Sequence, residues 1–390
     1  MSKLTTLAAS AARVDFAPPD LGDAEFDEVI RVLRSGWLST GPRVHRFEQA
    51  FADYVGVKHA IALNSCTAGL HLSLLAAGVG PGDEVVTTPM TFCATANVIV
   101  HAGATPVFAD VDPVTMNLTP QAAQAATTPR TRAWLPVHFA GRAIDAAGFR
   151  QAADRCGVAL IEDAAHAVEA VSAGAKIGAT GDMTSFSFYA TKNLTTGEGG
   201  MVTTDSDTRA ELIRTAALHG MSRGAWSRYG RTGANRYDVV LPGFKYNMTD
   251  VQAALGIHQL ASLDRRHARR EQIWARYDAA LAALPIGRPA PVPAGDRHAR
   301  HLYTILVDEA LGGQSRDHLQ AAMGERGVST SVHFTAVHLH TYYADRFQLR
   351  RGTFPVAESI SDRTLSLPLS SAMTDQAVDR VVEVLYELLG

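Results

Sequence analysis

The chain of 390 residues, 46% hydrophobic and 19% charged, is longer than a single core of about 250–300 residues supports and far from the composition of a disordered chain. One large and one smaller domain are expected. Lys and Arg total 36 against 39 Asp and Glu, a net charge of -3, so nothing in the charge balance favours nucleic acid or an anionic membrane as partner.

After an N-terminal arm, residues 23–33 place Phe26, Val29, Ile30 and Leu33 at helical intervals, and Ser35-Gly36 breaks the pattern. Trp37-Leu38-Ser39-Thr40-Gly41-Pro42 reads as a loop. From residue 60, strand-like runs alternate with helical ones: 60–63 and 68–77, 84–88 and 94–101, 106–111 and 120–126, 133–138 and 146–156. Strands at 159–161, 184–188 and 201–204 follow, the last leading into a helix at 208–219. This alternation predicts an α/β fold built on parallel βαβ units. Pro242-Gly243 makes a break, and residues 249–284 read as a long helix or a bent pair, with Thr249 or Asn247 as cap. A Pro- and Gly-rich linker at 285–295 precedes strands at 301–307, 328–334 and 364–367 and helices at 317–324 and 375–389, a small α/β unit. Cys66, Cys93 and Cys156 are sparse and lack CxxC spacing, so neither a disulfide framework nor a metal site is expected. The N-terminus lacks the apolar run of a leader and no segment has the length of a membrane span, making the cytoplasm the expected location.

The chemistry-bearing residues cluster at predicted strand ends. Lys192 follows the aromatic-rich strand Ser185-Phe186-Ser187-Phe188 and precedes Gly197-Glu198-Gly199-Gly200. A lysine there can project its amine into a cleft where desolvation makes it nucleophilic, as imine formation with an aldehyde cofactor requires, although taken alone an ordinary solvated lysine accounts for the position better. Glu162-Asp163-Ala164-Ala165-His166 follows another apolar strand. A carboxylate there suits the pyridine nitrogen of pyridoxal phosphate (PLP), and Asp163, further past the strand end, is the candidate, with Glu162 facing the other way. Helix capping by Asp163 and a structural His166 are the alternatives. Ser65, Cys66 and Thr67 join a strand to a helix start, a ready phosphate site, although ordinary N-capping accounts for the segment by itself. Phe92, after the next strand, either stacks on a flat ring or packs in the core.

Taken together, these motifs resemble the DegT/DnrJ/StrS family of PLP-dependent sugar-nucleotide aminotransferases of fold type I. The similarity runs from Arg34-Ser35-Gly36-Trp37-Leu38-Ser39-Thr40-Gly41-Pro42 to Leu365-Ser366-Leu367-Pro368-Leu369. It includes Asn64-Ser65-Cys66-Thr67-Ala68, Ile161-Glu162-Asp163-Ala164-Ala165-His166, Lys192-Asn193-Leu194-Thr195-Thr196-Gly197-Glu198-Gly199-Gly200, Lys245-Tyr246-Asn247-Met248-Thr249-Asp250 and Val332-His333-Phe334 with Val337-His338. The resemblance implies a mixed, mostly parallel sheet in a large domain over residues 1–250, then a long connecting helix and a small C-terminal α/β domain over 251–390. It implies that Lys192 carries PLP as a Schiff base, Asp163 pairs the pyridine nitrogen, Phe92 stacks on the ring and His166 lies beside it. Ser65, Cys66, Thr67 and Ser187 would hold the phosphate, with Cys66 bulkier than the residues common at its position. Asn247 would reach the phosphate of a neighbouring subunit, making a homodimer with shared sites. Trp37, Ser39, His333 and His338 look like the substrate pocket, although loop packing accounts for them equally.

The implied reaction is amino transfer from L-glutamate to a nucleotide-linked keto sugar, through pyridoxamine phosphate (PMP) and with ping-pong kinetics. The Lys245-Tyr246-Asn247 motif and the two histidines make the resemblance closest to enzymes acting at sugar C4, including the one forming UDP-4-amino-4-deoxy-L-arabinose. A 3-keto sugar or an aminocyclitol is an alternative substrate. A PLP-dependent sugar dehydratase is disfavoured because Lys192 stands where that type has histidine. A non-catalytic regulator would need a DNA-binding module, and none is visible.

Overall fold

The computed structural model describes residues 13–221 and 238–390. Residues 1–12, most of the stretch read for a leader, lie outside them.

The main sheet collects strands β1 (His59–Leu63), β2 (Glu84–Thr87), β3 (Thr105–Phe108), β4 (Thr131–Leu135) and β5 (Ala159–Asp163). A small hairpin of β6 (Val171–Ser172) and β7 (Ala175–Lys176) precedes β8 (Met183–Ser187) and β9 (Gly200–Thr204). The order across the seven-stranded sheet is β1-β9-β8-β5-β4-β2-β3. Only β9 runs against its neighbours, pairing antiparallel with both β1 and β8. The sheet is therefore mixed and mostly parallel, as expected.

Alternation along each strand divides the side chains between two cores. Trp134, Leu160 and Phe186 join Phe47, Phe51 and Phe149 on one face. Ala133, Leu135, Ile161 and Met183 point to the other, under the helices Cys66–Ala76 and Asp207–Ala217. Both faces are covered, which explains why the strands read as nearly continuous apolar runs.

A second, antiparallel sheet joins β10 (Ile286–Gly287), β11 (Tyr303–Val307) and β12 (Thr364–Leu367). The helices Leu263–Ala280 and Asp375–Leu389 cover it, supplying Ile273, Trp274 and Tyr277 and, at helical spacing, Val378, Val381 and Leu385. Val14 from the N-terminal arm joins the same core.

One choice is resolved and one expectation needs correction. Of the two readings of 249–284 the bent pair holds, as Asp250–Ala261 and Leu263–Ala280, because Ser262 turns its hydroxyl back onto the His258 and Gln259 carbonyls. The run at 328–334 is not a strand: its early residues pair with the N-terminal arm at Val14, and Ser331 switches to a single bridge with Ser366. Among the described residues no helix is long and apolar enough to cross a membrane.

Candidate active site

The carboxyl ends of the strands open into a cavity of about 1200 Å³, counting the solvent at its mouth. Ser65, Cys66, Thr67, Phe92, Asp163, His166, Ser187, Lys192 and His333 all border it. These are nine of the residues singled out from the sequence, drawn from five separate chain segments.

Lys192 sits in the turn after β8, its N–H bonded to the Tyr189 carbonyl at 2.9 Å. Burial lowers its amine pKa from 10.5 to about 8, against the pull of the nearby Cys66 and Asp163. Asp163 ends β5. Its Oδ2 accepts the Thr95 hydroxyl at 2.8 Å and its Oδ1 the Ala165 N–H at 3.1 Å, while Thr95 is bonded in turn to Thr91 at 2.7 Å. Burial raises the pKa of this carboxyl; the two hydrogen bonds, Lys192 and His138 oppose that rise. Alternation sends Glu162 to the opposite face, where it pairs with His138 at 3.0 Å.

At the other end of the cavity Ser65 caps the helix Cys66–Ala76 through the Ala68 N–H at 3.1 Å. The first N–H groups of that helix have no intrahelical acceptor, so they and the helix dipole favour an anion. The chain of β9 runs close by: a Cβ on Gly200 would lie 2.4 Å from the Ser65 carbonyl carbon and 2.5 Å from the Cys66 nitrogen. Glycine is required there for the two backbones to meet. Cys66 places its Sγ 4.0 Å from Asp163 Oδ1, and burial raises its thiol pKa.

Phe92 precedes the helix Cys93–His101 with 59% of its surface exposed, a ring free to cover a flat ligand. His166 is buried between His301 and Phe334, and its Nδ1 has no partner. Burial, then the positive Lys192, holds that imidazole neutral. His333 bonds Ser366 at 2.9 Å, and burial drops its pKa to about 3.

The remaining expected residues lie elsewhere. Trp37 donates its Nε1–H to the Thr40 carbonyl at 3.1 Å, the Ser39 carbonyl accepts the Asp250 N–H at 3.2 Å, and Asn247 donates from Nδ2 to the Thr40 hydroxyl at 2.7 Å. These three form one group, and Asn247 borders a different cavity, beside His45 and Arg214. His338 corrects an expectation: it is fully buried and bonded to Glu358 at 2.9 Å, so its ring has no open face for a substrate. Sequence reasoning passed over Thr95, Tyr189, Glu198 and Phe334, which also border the main cavity. Thr95 carried a usable signal, since it stands one turn after Phe92 at a strand-to-helix junction.

An anion site, a buried carboxylate, an uncovered aromatic face, an unpartnered imidazole nitrogen and a lysine of depressed pKa suit PLP at its phosphate, pyridine nitrogen, ring and aldehyde. The DegT/DnrJ/EryC1/StrS aminotransferase family matches residues 19–386 of the chain. Spore coat polysaccharide biosynthesis protein SpsC of Bacillus subtilis (strain 168) is 50% identical over 376 residues, 96% of each chain. Among solved structures, the PLP form of Spr1654 from Streptococcus pneumoniae is 32% identical with a TM-score of 0.89, covering 97% of this chain and 100% of that one. A PMP form of the same protein has also been solved. The aminotransferase TlmJ from Streptoalloteichus hindustanus is 35% identical with a TM-score of 0.89, covering 97% and 99%.

Proposed function

The chain belongs to the DegT/DnrJ/EryC1/StrS aminotransferase family, and from that premise we propose that it transfers an amino group from L-glutamate to a nucleotide-linked keto sugar, with a 4-keto sugar as the substrate. The products are an amino sugar nucleotide and 2-oxoglutarate. The family is PLP-dependent, and its structures include PLP and PMP forms. When bound, PLP supplies an electron sink and carries the amino group between the two half-reactions.

This chain's residues do the rest. With a pKa of about 8, about one Lys192 amine in ten is uncharged at pH 7, enough to attack the aldehyde and then to take a proton and return it as a general base. Asp163, held by Thr95 and Ala165, keeps a proton on the pyridine nitrogen. The N-terminus of the helix Cys66–Ala76, with Ser187, binds the phosphate, Phe92 covers the ring, and the neutral His166 donates or accepts at its edge without adding charge. Trp37, Ser39 and Asn247 act at the partner subunit's site in a cytoplasmic homodimer, which accounts for their grouping away from Lys192. His333 borders the substrate side of the cavity.

One observation carries the reading: the depressed Lys192 amine, Asp163 and the helix N-terminus face a single cavity. The test is spectroscopic and then isotopic. PLP-loaded protein should lose its visible absorbance on adding L-glutamate, and 15N-glutamate should label the product from a panel of nucleotide-linked 4-keto and 3-keto sugars. Unchanged absorbance argues against transamination; label entering only 3-keto sugars moves the reaction to that carbon. Lys192→Ala should retain PLP without turnover.

A further inference from the structure

Behind the cavity stands a group of buried histidines and charges that the proposed chemistry does not use. The Asn193 side chain donates from Nδ2 to both carboxylate oxygens of Glu169, at 3.2 and 3.0 Å, and to the Ala299 carbonyl at 2.7 Å. With Nδ2 so committed, Oδ1 is the atom that meets His301 Nδ1, 3.1 Å away. An amide oxygen only accepts, so Nδ1 of His301 carries the proton and Nε2 keeps its lone pair. Glu169 is itself fully buried and ion-paired with the buried Arg270, so the amide has a fixed reference on its far side.

The backbone aims the same ring. Arg300 has a φ of 52°, a left-handed conformation that a residue with a side chain adopts only under constraint. Its guanidinium lies 4.3 Å over the Trp274 ring, its Nε donates to Glu271 at 2.8 Å, and its N–H donates to His298 Nδ1 at 2.9 Å. His301, the next residue, packs against His166 with ring centroids 4.5 Å apart. Because His166 Nδ1 has no hydrogen-bond partner, packing alone orients that ring, between His301 and Phe334.

We propose that His301 is a positioning residue for the transamination site: Glu169, acting through Asn193, holds it as the Nδ1–H tautomer, and its ring sets the orientation of His166 at the cofactor cavity. The inference rests on the reading of that cavity as a PLP site. The groups facing His301 are His166, Lys192, His333, Arg270 and His298. Burial first, then the positive Lys192 and Arg270 among these neighbours, keeps its imidazole neutral, so no second cation forms beside Lys192.

The test reads the tautomer, which exists whether or not a sugar is turned over. In PLP-loaded protein carrying 15N in its histidine rings, the His301 signals, identified by their loss in His301→Asn, should show a neutral Nδ1–H imidazole that does not titrate from about pH 6 to about pH 8. His301→Asn keeps a donor toward Asn193 but takes the ring away from His166, and should bind PLP about tenfold more weakly. Asn193→Ser removes the fixed acceptor and should convert the His301 signals to a mixture of tautomers; it also identifies them if the first variant does not fold. An Nε2–H tautomer in the parent protein, titration within that window, or unchanged PLP affinity in folded His301→Asn overturns the proposal. Failure of the keto-sugar assay leaves these readouts as they are, so the two ideas fail separately.

Discussion

A buried lysine that must react as an amine weighs on the fold that holds it. The Lys192 amine takes up its proton near pH 10.5 when unfolded and near pH 8 in the folded chain. Above pH 10.5 both states are neutral and no stability is lost; the loss grows as pH falls toward 8 and is complete below it. The difference corresponds to roughly 3 kcal/mol. Lys192→Met keeps the length of the side chain and removes the charge, so it should stabilise the cofactor-free protein at pH 7 by somewhat less than about 3 kcal/mol, because Asp163 loses a favourable neighbour. Denaturant unfolding at pH 7 and near pH 10.5 checks this, and the gain should shrink at the higher pH. An equal gain at both would assign it to packing. The cavity residues singled out from the sequence were legible mainly because they follow an apolar run or open a helix, as Asp163 and Ser65 do. Asn193 and His301 were not, because their significance lies in a bond between residues 108 positions apart; Thr95 had a local signal one turn after Phe92, but its bond to Asp163, 68 positions away, did not show in it.

Helix starts show the same division between local and distant causes. Thr249 opens the helix Asp250–Ala261 with a capping box closed by Gln252, a pattern visible in four consecutive residues. The helix Pro42–Val55 escaped reading although Val44, Phe47, Phe51 and Val55 recur at helical spacing and are all buried. Its cap residue, Gly41, has no side chain to accept a bond, and the acceptor is Asp250, whose carboxylate takes the Arg43 N–H at 3.1 Å and the Val44 N–H at 3.0 Å. A carboxylate at a helix N-terminus satisfies free donors and complements the dipole. Asp250→Ala should therefore destabilise the protein by about 1–2 kcal/mol, and Asp250→Asn by less, in urea titrations of folded variants. Unaltered stability in Asp250→Ala would show that solvent caps this helix equally well.

The seven-stranded and three-stranded sheets meet through the paired helices Asp250–Ala261 and Leu263–Ala280, the first packed on Asp23–Ser35 and Pro42–Val55, the second lodged in the core of the small sheet. The alternation of strands and helices made the large sheet legible. The reversed strand β9 was not, because direction is set by which neighbours a strand finds, not by its own residues. At this scale the position of Asn247 becomes an argument about assembly. It stands with Trp37 and Ser39, outside the cavity of its own Lys192, and a two-fold axis would bring such a group to the other subunit's site. Shared sites make a prediction that separate sites do not. In a mixed dimer of Lys192→Ala and Asn247→Ala chains, one site receives both lesions and the other receives an intact Lys192 and an intact Asn247. Equal mixing of the two unfolded variants followed by joint refolding should then restore about a quarter of the parental turnover, since half the dimers are mixed and half of their sites are whole. Sites built within one subunit would yield only the average of the two variants measured alone.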